Sequence, residues 1–326
     1  MRLIRHPLLR TLAGLSIGLA VLYSLVHLAP ELAPAALWAR LQSSNGRLLL
    51  LAGLLYLIVL PLRAARWRLL AWSAGSSISL LSTISLVARS WAVNVLLPLR
   101  AGDLFRIASS AHGLPRRVAL GTIGAERIAD LLSLSVVGSL ALLVGGPGLD
   151  QIRLPLLIGG LLVGGGSLGL LLVAKLASRQ SQKLERLSAA RLIEPIFSSL
   201  HLGEGAATIA TVLTLSGGAW LLEAGALVLA ASAIGVVGVS PADLAIAALV
   251  GAMLASLPIT PAGIGLVEGG LFGLLHLGYG IDQESAAGVI LASRAVTLVP
   301  ILAAGAVATL PIVVDRLLRG VRTLNR

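Results

Sequence analysis

The segment Leu257-Pro-Ile-Thr-Pro-Ala-Gly-Ile-Gly-Leu-Val-Glu268 places two prolines, two glycines and a carboxylate in a chain that is otherwise strongly apolar. Inside a bilayer every backbone N–H and C=O group must find a partner within the protein. An interrupted helix therefore survives there only where it is buried among other helices or lines a wet cavity. A second interrupted segment, Asn94-Val-Leu-Leu-Pro-Leu-Arg-Ala-Gly-Asp-Leu-Phe-Arg106, has the same character. We expect these two segments to form a pair that lines a polar cavity.

The composition around these segments indicates a polytopic membrane protein. Of the 326 residues, 57% are hydrophobic and only 12% are charged, against roughly 25% charged residues in soluble domains. The formal net charge of +11 resides in short clusters between apolar runs, which is typical of a cytoplasmic membrane face and not of a nucleic-acid-binding surface. The chain has no cysteine, and its five histidines are scattered without i, i+4 pairing. We therefore expect no nucleic-acid partner, no metal and no cofactor.

Six apolar runs are long enough, or nearly so, to cross the bilayer: residues 11–29, 48–62, 118–145, 154–174, 208–235 and 289–314. The first follows a basic N-terminus, as in a secretory signal. Its length of about 19 residues exceeds the roughly 7–15 residues of a signal core and matches the roughly 20 needed to span, so we expect a retained helix. The distribution of Arg and Lys predicts an inner-membrane protein with both termini in the cytoplasm. It also predicts a cytoplasmic amphipathic connection at residues 175–207.

The basic residues Arg63, Arg66 and Arg68 are expected to follow the second span in the cytoplasm, with Trp67 and Trp72 as interfacial anchors. Residues 78–98 then have basic clusters on both flanks, which favours a re-entrant hairpin over a full crossing. Residues 241–276 are expected to enter and leave from the external side, because the last span must end at a basic tail. The predicted architecture is one all-α membrane domain, residues 1–326, with about six full transmembrane helices and two re-entrant broken-helix hairpins.

The two broken segments also predict an internal repeat. Leu97-Pro98 to Gly102 matches Leu257-Pro258 to Gly263, and Gly121-x-x-x-Ala125-Glu126-Arg127 matches Gly288-x-x-x-Ala292-Ser293-Arg294. With the topology above, the first unit (64–145) is entered from inside and the second (241–315) from outside. Such inverted repeats in transporters commonly place the substrate at the repeat interface, near the midplane.

Charged side chains in the bilayer centre cost about 2.5–3.5 kcal/mol each on insertion scales, so the structure must compensate those in the apolar runs. These residues and their polar neighbours are the candidate lipid-binding set: Arg89, Asn94, Asp103, Arg106, Glu126, Arg127, Asp130, Glu223, Thr260, Glu268 and Arg294. Glu126 and Asp130 share one helix face at i, i+4 spacing, so an arginine is expected between or opposite them.

The roles within this set are not equally determined. For Glu126, Asp130 and Glu223, a structural ion pair and a functional role stay equally open. Arg127 and Arg294 occupy matching positions of the two units, and an arginine fork in a low-dielectric cavity suits a lipid phosphate. Arg106, Arg116 and Arg117 are instead expected in the headgroup layer.

These motifs resemble the transmembrane region of lysylphosphatidylglycerol synthases, which is also found as stand-alone flippase-like membrane proteins. The resemblance rests on Asn94-x-x-x-Pro98 with Gly102-Asp103-x-x-Arg106, on Glu126-Arg127-x-x-Asp130, on Pro258-x-x-Pro261-x-Gly263-x-Gly265-x-x-Glu268, and on Arg294. It implies movement of a lipid between leaflets. In that family aminoacyl transfer belongs to a separate soluble domain that is not in these 326 residues, so the resemblance argues against the synthase reaction.

We therefore expect a non-enzymatic, flippase-like inner-membrane protein that translocates a phospholipid or a polyprenyl-phosphate-linked lipid. The alternative is a non-transporting scaffold that positions a lipid-modifying or glycosyltransferase enzyme through residues 175–207. A membrane-embedded transferase is a third reading, but no nucleophile–base constellation appears at usable spacing. A homo-oligomer stays open.

Overall fold

The computed structural model describes residues 34–109, 115–145, 150–179, 206–256 and 259–324, which form helices joined by turns, with no strand among them. The helices are α1 Pro34–Ser43, α2 Gly46–Ser73, α3 Leu80–Leu96, α4 Ala101–Ala108, α5 Arg116–Val144, α6 Asp150–Arg179, α7 Ala206–Ile234, α8 Pro241–Ser256, a 3-10 turn Pro261–Gly263, α9 Leu266–Phe272 with a π-helical continuation Gly273–Gly278, and α10 Gln283–Leu324. The all-α prediction is confirmed.

Six segments of the described chain are long and apolar enough to cross a membrane: Gly46–Ser73, Val118–Val144, Arg153–Leu170, Ala207–Ile234, Pro261–Gly278 and Gln283–Asp315. Five of them overlap predicted spans, and the chain is a multi-pass membrane protein. The segment Pro261–Gly278 is the second half of the region predicted as a hairpin. The predicted span at residues 11–29 and most of the predicted connection 175–207 lie outside the described residues.

Helix α2 extends eleven residues beyond the predicted end of the second span, from residue 62 to Ser73. Arg63 and Arg66 therefore lie within a continuous helix, and Arg66 is buried. Trp67 is also fully buried, and its indole N–H donates to the Thr122 hydroxyl at 3.0 Å. The prediction that the two arginines follow the span is wrong, because they lie within it, and the interfacial role of Trp67 is wrong as well. The helix carries these charges inside because buried carboxylates of α5 compensate them.

The first broken segment is a tight helical hairpin of α3 and α4. At its tip Leu99 and Arg100 have φ of 61° and 53°, and α4 then folds back along α3. The Asn94 side-chain oxygen accepts the backbone N–H of Gly102 at 2.7 Å. A Cβ on Gly102 would lie 1.8 Å from the carbonyl oxygen of Ser90, so glycine is required for this close approach.

The second broken segment also folds back on itself. Its tip contains Ala262 with φ of 48°, while the backbone N–H of Gly265 donates to the Glu268 carboxylate at 2.6 Å. At the far end the Tyr279 hydroxyl donates to the carbonyl oxygen of Asp243 at 2.8 Å. The end of the π-helical segment thus lies beside the start of α8, and residues 241–279 return to where they began. Pro258 itself lies outside the described residues.

Backbone strain coincides with these two tips. Among the described residues, the non-glycine residues with positive φ are Leu99, Arg100 and Ala262. This region of backbone conformation is uncommon for residues with a side chain, and such residues cluster at ligand clamps and switch regions. The two hairpin tips are therefore candidate functional positions.

The two hairpins are packed reciprocally around a central pair of helices, α2 and α7. Helix α3 packs against α10, and α8 packs against α5, so each hairpin contacts the long helix that follows the other hairpin. Helix α3 also contacts the 3-10 turn at the tip of the second hairpin. Helix α6 lies at the edge and packs on α5, where Gly160 and Gly164 approach Ser139 and Ser135.

Helix α10 is capped by Asp282, which immediately precedes the apolar segment Gln283–Asp315. The Asp282 carboxylate accepts the backbone N–H of Ser285 at 2.8 Å, and the Ser285 hydroxyl accepts a hydrogen bond from Arg40 of α1 at 2.8 Å. Hydrogen bonding from the Ser285 backbone N–H, and also from its side chain, holds the pKa of Asp282 below its usual range. The cap and the α1 contact together fix the point from which α10 enters the helix bundle.

The hairpin packing predicts opposite outcomes for two glycine substitutions. Gly102→Ala is expected to destabilise the protein by about 1–3 kcal/mol, because the new Cβ collides with backbone and must push α4 off α3. Gly166→Ala on α6 is the matched control, since nothing lies within 4 Å of its Cβ position; it is expected to be neutral or to stabilise by up to ~1 kcal/mol. Thermal unfolding in detergent, followed by circular dichroism, measures both. Equal melting of the two variants would contradict the close α3–α4 packing.

Candidate functional site

A cavity of about 580 Å³ lies between the two hairpins and the central helices, within the roughly 300–1,000 Å³ typical of small-molecule sites. Nine of the eleven predicted site residues line it: Asn94, Asp103, Arg106, Glu126, Arg127, Asp130, Glu223, Thr260 and Arg294. Glu268 reaches the site indirectly, through an ion pair with Arg294. Arg89 does not line the cavity: its Nε donates to the carbonyl oxygen of Ser85 and its guanidinium lies 5.7 Å from the Phe105 ring centroid.

Arg66 of α2 is the centre of the charged wall. Its side chain is only 2% exposed; it donates to Asp130, to Glu126 at 3.1 Å and to the Ser216 hydroxyl at 2.8 Å. The predicted arginine between Glu126 and Asp130 is thus confirmed, and it comes from α2. Burying a charge without such partners would be prohibitive, so this network fixes the relative positions of α2, α5 and α7.

Arg63, one turn earlier on α2, extends the network towards α7. It lies 3.2 Å from Asp130 and 2.6 Å from Glu223. Its guanidinium also lies 4.7 Å from the Trp220 ring centroid, a distance at which cation–π attraction operates. Glu223 therefore forms an ion pair with Arg63, which is compatible with both the structural and the functional interpretation of this residue.

Arg106 on the short helix α4 joins the first hairpin to the same network. It is 5% exposed, lies 3.1 Å from Asp103 and 2.8 Å from Glu126, and stacks 4.8 Å from the Trp67 ring centroid. The prediction that Arg106 lies in the headgroup layer is wrong, because two buried carboxylates draw it inwards. Arg116, by contrast, is exposed.

Arg127 and Arg100 also contact Asp103, the carboxylate that Arg106 binds in the first hairpin. The Asp103 oxygen Oδ2 lies 2.8 Å from Arg127 and 3.5 Å from Arg100. Their side chains are 37% and 27% exposed, the highest values among the arginines that line the cavity. These two guanidinium groups are therefore the least enclosed charges of the site.

Arg294 of α10 fastens the second hairpin at its tip. Its Nε donates to Glu268 at 2.6 Å, and its two terminal nitrogens donate to the carbonyl oxygens of Ala262 and Gly263 at 3.1 and 3.4 Å. The break in the helix leaves carbonyl groups without intrahelical partners, and Arg294 satisfies two of them. The pair Arg294–Glu268 thus corresponds to Arg127–Asp103, each joining a hairpin to the long helix after it.

Thr260 brings an unpaired hydroxyl to the cavity wall. The residue is 4% exposed, and its Oγ1 has no hydrogen-bond partner among the described residues. A buried polar group without a partner costs about 1–3 kcal/mol, and native proteins usually satisfy it with water or a ligand. Thr260 thus brings to the cavity wall a buried hydroxyl whose hydrogen-bonding capacity is not used by any described residue.

Sequence reasoning missed Arg63, Arg66 and Arg100 as site residues. A signal for the first two was present, because Tyr56, Arg63 and Arg66 recur at helical spacing and line one cavity. The paired carboxylates of α5 also demanded a cation. Counting arginines as markers of the cytoplasmic face concealed this signal.

The family model for the lysylphosphatidylglycerol synthase transmembrane region matches residues 11–305, a range that includes both hairpins and the whole charged network. No curated protein matches the chain.

Removal of Asp130 is expected to destabilise the protein strongly. Asp130→Asn leaves Arg63 and Arg66 buried with one carboxylate fewer, and breaking a buried pair in this way costs about 3–5 kcal/mol. The matched control is Asp150→Asn, since Asp150 is 62% exposed and pairs with Arg153 at 3.1 Å; surface pairs contribute at most about 1 kcal/mol. The free energy of unfolding in mixed SDS–detergent micelles measures both losses. Similar losses would show that the network is not buried.

Proposed function

The chain belongs to the family of the lysylphosphatidylglycerol synthase transmembrane region, and on this basis we propose that it binds a phospholipid or polyprenyl-phosphate-linked lipid in the cavity and moves it between leaflets. The observation that carries the proposal is a cluster of arginines on the wall of a cavity framed by two broken hairpins. Arginine forks match phosphate oxygens in geometry and charge. The role is transport and not group transfer, so we assign no catalytic residue.

Reciprocal packing supports the inverted repeat within this proposal. The order long helix, hairpin, long helix occurs in α2–α5 and again in α7–α10. The contacts correspond as well: α3 with α10 and α8 with α5, α2 with α3 and α7 with α8. We take the first hairpin to enter from the cytoplasmic leaflet and the second from the external leaflet, which places the cavity between them.

The aliphatic part of the lining suits the remainder of a lipid. Valine, leucine and isoleucine side chains from α3, α5, α7, α9 and α10, with alanine and methionine side chains from α8, complete the wall. In the proposed mechanism the phosphate and headgroup occupy the polar cavity, while the acyl chains stay in the bilayer. Movement of one hairpin at a time, each hinged at its strained tip, would open the cavity to one leaflet and then to the other.

The proposed orientation predicts a labelling pattern. The native chain has no cysteine, so single substitutions at exposed positions report their own location. Ser77→Cys is expected to react only after the cells are permeabilised, whereas Val237→Cys and Glu284→Cys react in intact cells with a membrane-impermeant maleimide. Val237 and Glu284 flank the second hairpin, so labelling from opposite sides would contradict its re-entrant path.

Lipid translocation is expected in liposomes that contain the purified protein. A dithionite assay with fluorescent phosphatidylglycerol measures how fast the inner-leaflet probe becomes accessible. Wild type is expected to exceed protein-free liposomes, and Arg127→Gln to be at least about tenfold slower, the effect of one charged hydrogen bond. Arg47→Gln is the control, because Arg47 is exposed and lies outside the cavity.

Two results would count against the proposal. A wild-type rate equal to that of protein-free liposomes would remove translocation and favour the scaffold alternative, which does not require Arg127. Equal rates for wild type and Arg127→Gln would remove the assignment of the cavity as the lipid path.

A further inference from the structure

The cavity carries more positive than negative charge. Six arginines line it: Arg63, Arg66, Arg100, Arg106, Arg127 and Arg294. Five carboxylates pair with them: Asp103, Glu126, Asp130, Glu223 and Glu268. One guanidinium charge therefore has no carboxylate of its own.

The surplus charge is located at the first hairpin. Arg294 and Glu268 form a separate one-to-one pair. In the larger group, Asp103 is in contact with Arg100, Arg106 and Arg127 together. Arg106 has a second carboxylate in Glu126 at 2.8 Å, and Arg127 has only a distant one in Asp130 at 3.6 Å. Arg100 contacts Asp103 alone among the described carboxylates, so it is the least neutralised of the six.

The geometry of this pair suits an anion. Arg100 comes from the strained tip of the first hairpin and Arg127 from α5, and both approach the same oxygen of Asp103. The 3.5 Å separation from Arg100 exceeds the roughly 2.7–2.9 Å of a charge-assisted hydrogen bond. Its donors are thus available to a phosphate oxygen, which would also relieve the repulsion between two guanidinium groups that share one carboxylate.

A cationic headgroup would find no such partner. Each of the five carboxylates already lies within 3.2 Å of at least one arginine nitrogen. An added ammonium group would have to displace an arginine from a buried pair, and it would also face the surplus positive charge. Because the protein's own arginines already neutralise these carboxylates, the cavity is unfavourable for lipids with a cationic headgroup.

We propose that the cavity selects a lipid whose headgroup bears net negative charge, held by Arg100 and Arg127, and that it rejects aminoacylated, cationic headgroups. The inference rests on the proposed function and narrows its substrate class. It also separates two residues that occupy matching sequence positions. Arg127 contacts the ligand, whereas Arg294 is a positioning residue whose donors are taken up by Glu268 and the backbone of the second hairpin.

Binding of short-chain lipids to the full-length protein in detergent tests the charge selection. Dioctanoyl phosphatidylglycerol, phosphatidylcholine and lysylphosphatidylglycerol carry net charges of about −1, 0 and +1. Trp91 and Trp220 line the cavity, so tryptophan fluorescence reports occupancy. Phosphatidylglycerol is expected to bind at least about tenfold more tightly than the lysyl ester. This is the difference in affinity that one charge-assisted hydrogen bond supplies. Equal affinities for the three lipids would overturn the proposal.

Substitutions then locate the site. Arg100→Gln and Arg127→Gln are each expected to weaken phosphatidylglycerol binding by about tenfold, while Arg47→Gln leaves it unchanged. Arg127→Lys keeps the charge, so it is expected to retain the preference for phosphatidylglycerol over the lysyl ester; this variant guards against a loss that reflects misfolding alone. Unchanged selectivity in Arg100→Gln and Arg127→Gln would overturn the assignment.

Two further measurements distinguish a lipid site from a site for free phosphate, and this inference from the proposed function. Inorganic phosphate that displaces phosphatidylglycerol at equal concentration would indicate a site for free phosphate and overturn the lipid assignment. Lipid flipping without charge discrimination would leave translocation standing and overturn this inference. Discrimination without flipping would leave the anion site standing and overturn the proposed function.

Discussion

The structure depends on how two carboxylates, Glu126 and Asp130, are compensated inside an apolar helix bundle. They lie one turn apart on α5, and the cost of burying them falls only if arginines reach them in good geometry. Arg66 does so from α2, and Arg106 does so from the first hairpin. The same constraint that keeps α2 helical through its charged half therefore also sets where α4 lies. The cavity is what remains between elements that the charges hold at fixed separations.

The hairpins follow from a second requirement, that every interrupted backbone group finds a partner. At the first break, Asn94 accepts the N–H of Gly102; at the second, Arg294 donates to the carbonyls of Ala262 and Gly263. Both breaks have a side-chain acceptor for a backbone N–H, Asn94 at the first and Glu268 at the second, but at the second break an arginine also binds the freed carbonyl groups. This difference explains why matching sequence motifs lead to unequal arginines.

Patterns of spacing and composition were sufficient to predict the helical membrane fold, both breaks and most of the charged residues that line the cavity, because breakers and buried charges are conspicuous in apolar sequence. The helical spacing of Arg63 and Arg66 carried a signal that counting charges near the span ends concealed, and the position of Arg106 could not be predicted from spacing and composition. Whether an arginine lies in a loop or a bundle depends on a partner some sixty residues distant for Arg66 and Glu126, or twenty for Arg106 and Glu126. Charge counting near span ends has no access to such pairs. The prediction that Arg89 belongs to the site was wrong, because the guanidinium group of Arg89 lies over the Phe105 ring and does not line the cavity.

The ion pairs divide into a fixed group and an exchangeable group, and this division bears on transport. Arg66 binds two carboxylates and a hydroxyl through its two terminal nitrogens and is only 2% exposed, so a ligand in the cavity has little access to it. Arg127 has one close carboxylate, which it shares, and is 37% exposed. In the proposed mechanism a lipid phosphate competes with Asp103 for Arg127, because both anions require the same donors. Phosphate binding would therefore weaken the link between α5 and the first hairpin, while the Arg66 network still holds the bundle together. Ligand binding and hairpin release are coupled through a single guanidinium group, without any change in the buried core.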